Sequence, residues 1–87
     1  MEERKITNLI ESALTEDDYK FRINLLLASL FGGSDDSEEI LIEKNEHLRT
    51  IKSWIDEGNY PQDKSEYFLK ISQNISDYLS RADEYEQ

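Results

Sequence analysis

Cysteine is absent from this chain, which removes any disulfide framework and any thiolate metal site and suits a reducing compartment. Glycine occurs three times and proline once. Gly32, Gly33, Gly58 and Pro61 all lie between periodic segments, so they read as punctuation between elements and not as a disordered linker. No apolar run approaches the roughly 20 residues needed to span a bilayer. The opening MEERKITNLIESAL sets charges among its first apolar side chains, unlike the apolar stretch of a signal peptide. A soluble, cytoplasmic protein is the expectation. Basic residues are scarce: 10 Lys and Arg stand against 20 Asp and Glu, a formal charge of -10. That balance repels phosphate backbones and anionic lipid and favours basic partners, so neither direct nucleic-acid binding nor membrane binding is expected.

Catalytic constellations are missing too. His47 is the single histidine, and a nucleophile needs a positioned base and an orienting third group that no elbow, glycine-rich loop or second histidine supplies here. It reads as a solvated or boundary residue. Glu43 and His47 stand at i, i+4, but the paired ExxH of di-iron bundles and the HExxH of zinc proteases are both absent. The SDDSEE run, 34–39, lacks the alternating ligands, mid-loop glycine and distal glutamate of a calcium loop; carboxylates at a helix start are better explained by the helix dipole. No metal, no cofactor and no enzymatic activity are expected.

What is present is helical periodicity. The stretch YKFRINLLLASLF, 19–31, places Tyr19, Ile23, Leu26, Leu27 and Leu30 on one stripe, and Phe21, Leu25, Ala28 and Phe31 widen it onto a second face. So apolar a helix is expected to be covered from more than one side, with Leu26 and Leu27 at the centre of the core. Before it, Ile6, Leu9, Ile10 and Ala13 form a short amphipathic line. Thr15 is expected to cap the second helix, with Glu16, Asp17 and Asp18 against its positive end. Gly32 and Gly33 are expected to end that helix in the left-handed conformation. Asp35, Asp36 or Ser37 is expected to cap a third helix, whose inner line is Leu41, Leu48, Ile51 and Ile55, flanked by Ile40 and Trp54. EKNEH, 43–47, is wholly polar and predicts a bend or an excursion into solvent. Asp63 followed by Glu66 suggests a cap for a fourth helix, which carries Phe68, Ile71, Ile75, Tyr78, Leu79 and Ala82.

The pattern predicts an all-α fold: a small antiparallel bundle of four helices over about 2–14, 16–31, 36–57 and 62–84, forming one acidic domain of residues 1–87, with orthogonal packing as the alternative. Acidic residues collect at both ends of such a bundle. Those at Asp56, Glu57 and Asp83 to Glu86 sit near helix C-termini, where the dipole disfavours anions, which suggests a use outside the fold. Crowding of like charge predicts that mild acid leaves the fold intact or stabilises it.

The leading functional expectation is a non-enzymatic acidic helical binding protein, of inhibitor, immunity or anti-defence type, that engages a basic protein such as a nuclease toxin or a nucleic-acid-binding protein. Its candidate partner-binding residues are Asp56, Glu57, Tyr60 and Tyr67 about the 58–61 loop, and Asp35, Asp36, Glu38 and Glu39 in the acidic run. In size, charge and helicity the chain is similar to bacteriocin immunity proteins and phage-encoded inhibitors, a similarity of class that carries over no residue. The alternative is a structural or assembly module, a homodimer or a part of a larger complex, joined through helices 3 and 4.

Overall fold

Local hydrogen bonding decides where the helices begin and end. A computed structural model of the chain describes residues 2–33 and 35–86, with side chains for 6–33 and 35–81. The fold is all-α, of the small helical-bundle class. Its helices are α1 (Glu2–Ala13), α2 (Tyr19–Leu30), α3 (Glu38–Asp56) and α4 (Ser65–Glu86), with a 3-10 turn at Gln62–Lys64 before α4. No strand occurs among the described residues. No helix is long and apolar enough to cross a membrane. By contact density the chain divides into two compact units, residues 1–50 and 51–87, and α3 runs through the boundary.

In unit 1, α1 and α2 pack on each other, and the buried apolar side chains are Ile6, Ile10, Ile23, Leu27, Leu30 and Leu48. The expected start of helix 2 at residue 16 is corrected to Tyr19, because Thr15 serves the preceding helix. Its hydroxyl donates to the Ser12 carbonyl at 2.8 Å, and the amides of Thr15 and Glu16 close onto Ser12 and Ala13. The N-terminal residue flanking α2 is Asp18, whose side chain caps no amide; it accepts instead from Arg22 Nε at 2.7 Å. The end of α2 is also corrected. No left-handed glycine stops it: Phe31 itself turns extended, with φ -74° and ψ 122°, while its amide still donates to the Leu27 carbonyl.

Coverage of α2 on more than one side is corrected as well. Ile23, Leu27 and Leu30 are buried, but Phe21 is 64% and Leu25 56% exposed, and Leu26 is only half-buried. A residue offset of two turns a helix by about 200°, so the second apolar line faces away from the first. On α1 the predicted line likewise splits, Ile6 and Ile10 buried and Leu9 half exposed.

Of the three expected caps, Ser37 is the one that α3 uses, its Oγ accepting the Ile40 amide at 3.3 Å, so this helix opens at Glu38, two residues after the approximate start at 36. It passes through EKNEH without a break. That run emerges into solvent only at Glu43 and Glu46, which are exposed: Asn45 is 3% exposed, Lys44 and His47 are half-buried, and Lys44 Nζ reaches Asp36 at 2.8 Å.

In unit 2, α3 ends as predicted at Gly58. The Gly58 amide donates to the Ile55 carbonyl at 2.9 Å and the Asn59 amide to the Trp54 carbonyl at 3.3 Å, the paired bonds of a Schellman motif. This closure needs a left-handed residue, and Gly58 has φ 78°. Asp63 does not cap α4, since the 3-10 turn intervenes and no side-chain cap bond forms there; Asp63 sits 3.3 Å from Lys64 Nζ. The buried side chains of this unit are Ile51, Ile55, Phe68, Ile71, Ile75 and Leu79, with Ser72 among them.

Candidate functional site

The predicted partner-binding residues fall into two groups, one in each unit. In unit 2, the Schellman turn and Pro61, extended with φ -64° and ψ 136°, bring the chain round so that Tyr60 lies on the ring of Phe68. The two rings stack with centroids 5.4 Å apart and planes at 18°. Tyr67 meets the same ring edge-on at 5.3 Å, and Trp54 does so at 5.7 Å. Phe68 is fully buried, while Tyr60, Tyr67 and Trp54 are half-buried. Three amphipathic rings are therefore braced from beneath by one apolar ring and keep an edge in water. Trp54 was not among the predicted binding residues. Its place beside the inner line of α3 was visible, but its ring contact with Phe68 depends on the turn that brings α4 back and has no local signal.

The two carboxylates before this turn differ. Asp56, predicted to act outside the fold, has partners inside it: Lys52 Nζ at 2.6 Å and the Ser72 hydroxyl, donating at 2.9 Å. The Lys52 ammonium, followed by the Ser72 hydroxyl, holds its carboxyl below the usual carboxylate range. The dipole argument that singled out Asp56 thus has an internal answer, because a lysine one turn earlier compensates the anion and Ser72 anchors it to α4. Glu57 is exposed, and among the described residues it is met by neutral donors, Asn59 Nδ2 at 3.2 Å and Ser53 Oγ at 3.4 Å.

In unit 1, Asp36 is the structural member of the acidic run. It accepts from the Gly33 amide at 3.0 Å and from Lys44 at 2.8 Å, and the Lys44 ammonium and then that amide hold its carboxyl below the ordinary range. The Asp36 amide in turn donates to the Gly33 carbonyl, closing the loop onto α3. Asp35, Glu38 and Glu39 remain exposed, with Glu38 and Glu39 in the first turn of α3. None of the three has an ion pair among the described residues. The side chains of Glu2, Glu3, Asp83, Glu84, Tyr85 and Glu86, part of the predicted acidic ends and tyrosine edge, lie outside the described residues.

His47 Nε2 stands 4.0 Å from Glu43 Oε1, and no group of three or more potential metal ligands occurs among the described residues. A groove of about 500 Å³ does open in unit 1 between α1 and α2. Its lining is half apolar, from Leu9, Ala13, Ile23 and Leu26, and half polar, from Ser12, Thr15, Glu16 and Arg22. Arg22 lies 3.9 Å from Glu16 and 2.7 Å from Asp18. Compared with known proteins, the chain matches no family model, and no curated protein and no solved structure gives a significant match.

Proposed function

We propose that this protein is a non-enzymatic, cytoplasmic binding protein of inhibitor, immunity or anti-defence type that engages a basic protein partner. The observation that carries the reading is a set of exposed carboxylates, Asp35, Glu38, Glu39 and Glu57, with no ion pair among the described residues, in a chain of formal charge -10. Uncompensated surface charge costs stability through self-repulsion and gains in return the steering of an oppositely charged partner. Tyr60, Tyr67 and Trp54 supply the second ingredient, large rings with little conformational freedom left to lose on binding. Self-association through α3 and α4 has less support, since Leu48, Ile51, Ile55, Phe68, Ile71, Ile75 and Leu79 are already buried in a single chain.

The test is affinity capture at low and high salt, followed by association kinetics with the captured protein. Changing Glu57 to Gln, or Asp35, Glu38 and Glu39 to their amides, is expected to slow association at low salt. The effect should disappear near 1 M salt, where the Debye length falls to about 3 Å. Tyr60→Ala is expected to hasten dissociation. A partner bound with no salt dependence and no response to any of these changes would end the proposal. Asp56 is left out of the test set because its loss would also disturb α3 and α4.

A further inference from the structure

Glu57 and the rings about Phe68 are held together by the end of α3. Trp54 and Glu57 stand at i, i+3, and the Glu57 amide still donates to the Ser53 carbonyl at 3.0 Å, so the two side chains share a flank of the last helical turn. Asn59 Nδ2 donates both to the Trp54 carbonyl and to Glu57 Oε1, each at 3.2 Å, and so pins the carboxylate at the turn that leads into Tyr60. Phe68 takes one face of Tyr60; what this half-buried ring keeps in water lies on its other face and edge. The Tyr60 hydroxyl and the Trp54 indole N–H have no hydrogen-bond partner among the described residues and are not buried.

The charges nearby leave this spot negative. Of the acids between residues 56 and 66, Asp56 pairs with Lys52, Asp63 with Lys64 and Glu66 with Lys70, and Glu57 has no ion pair among the described residues. Lys52 lies two residues before Trp54, about 200° round α3, and Lys64 and Lys70 lie three residues either side of Tyr67. The uncompensated charge is therefore beside Trp54 and Tyr60 and not beside Tyr67. The arginine of this unit, Arg81, follows Phe68 by 13 residues, about 20 Å along α4. The negative end of the α3 dipole adds to the attraction for a cation.

We propose that Trp54, Glu57 and Tyr60 receive an arginine side chain of the basic partner, its guanidinium laid on Tyr60 and its N–H groups directed to the Glu57 carboxylate. The proposal rests on the basic-partner reading above and names the group that this surface recognises. A carboxylate offers about four lone-pair sites, and Glu57 uses two, on Asn59 and Ser53, so a forked donor can take the others. A planar, weakly hydrated cation stacks on an aromatic face, whereas a lysine ammonium is strongly hydrated and offers no plane. A second copy of the chain would bring its own excess of carboxylates to the same spot.

The probe is a short peptide of glycine and serine with a pair of lysines about one central position, which is arginine, lysine or citrulline. The arginine and lysine forms carry equal charge, and citrulline keeps the plane without the charge. Each is titrated into the isotope-labelled full chain, with amide and indole N–H shifts read residue by residue. The arginine peptide is expected to shift Trp54, Glu57, Asn59 and Tyr60 and to bind at least about threefold more tightly than either of the others. Tyr60→Leu, which still covers Phe68 but presents no ring, is expected to bring the arginine and lysine peptides within about twofold of each other. Glu57→Gln, at an exposed position and therefore the deciding variant if Tyr60→Leu does not fold, is expected to weaken the arginine peptide by about threefold or more. Equal affinity of the arginine peptide and either of the others overturns the proposal and leaves the basic-partner reading standing, as do shifts confined to residues 35–39. No saturable binding of the arginine or the lysine peptide overturns both. A dimer that Glu57→Gln dissolves overturns the proposal in favour of a second copy.

Discussion

Asn45 is the one buried side chain among the described residues with a polar atom left without a partner, its Oδ1. Leaving a buried acceptor unpaired costs about 1–3 kcal/mol, a large share of a small domain's stability. Asn45→Leu, which removes the acceptor at similar volume, is therefore expected to raise stability by about 1 kcal/mol in urea denaturation; a loss would mean that Asn45 holds a structural water. Asp36 and Asp56 present the opposite case, both satisfied and both with lowered pKa. A folded pKa below the unfolded value of about 3.9 means stabilisation that is present above that value and lost as pH falls through the folded pKa. From about pH 7.5 to 5 these two residues contribute undiminished, and the acid limb should begin near pH 4. Asp36→Asn and Asp56→Asn are expected to lower the melting temperature at neutral pH and to converge on the parent protein well below about pH 3. Curves that stay parallel through the acid range would mean that neither carboxylate titrates with the fold. The sequence pointed towards raised values from crowding; the cations Lys44 and Lys52, at i+8 and i-4, decide these two sites the other way.

Among the elements, α3 and α2 show what a sequence displays and what it hides. The four helices, the closure of α3 at Gly58 and most of the inner stripe of α3 and α4 were legible, because periodicity and a left-handed glycine are local properties; Leu41 is half-buried and Ile40 exposed, and the side chain of Ala82 lies outside the described residues. The boundaries of α2 were not. Thr15 carries the same hydroxyl whether it opens one helix or closes the one before, and the choice is made by the carbonyl of Ser12. The exposure of Phe21 and Leu25 was hidden for a related reason: apolar spacing says which residues share a face, and only the neighbouring elements say whether that face is covered. Tyr60 and Tyr67 could be singled out from the loop and from helical spacing, but their shared contact with Trp54 and Phe68 could not, since ring contact belongs to the turn and not to either helix. The turn itself can be tested. A Cβ at Gly58 meets nothing within 4 Å, so Gly58→Ala carries only the left-handed backbone penalty, about 1–2 kcal/mol. A loss under about 0.3 kcal/mol would mean that the closure of α3 relaxes freely.

At the scale of the molecule, contacts cluster into residues 1–50 and 51–87, and α3 contributes residues to both clusters as one uninterrupted helix. Breaking a helix in its interior forfeits hydrogen bonds that neither half recovers, so cooperativity along α3 opposes the melting of one cluster alone. The protein holds the means to check this. Its single tryptophan, Trp54, sits edge-on to Phe68 in the second cluster, so its emission reports on that cluster, whereas circular dichroism sums the helices of both. Followed together through a urea titration, the fluorescence and the ellipticity are expected to trace one transition with one midpoint. An indole that reddens before the helices melt would show residues 51–87 opening ahead of the rest. Since Tyr60 and Tyr67 rest on the same ring, the indole is also a reporter for occupation of the aromatic cluster: a partner that covers it should move the emission to shorter wavelength without any label attached.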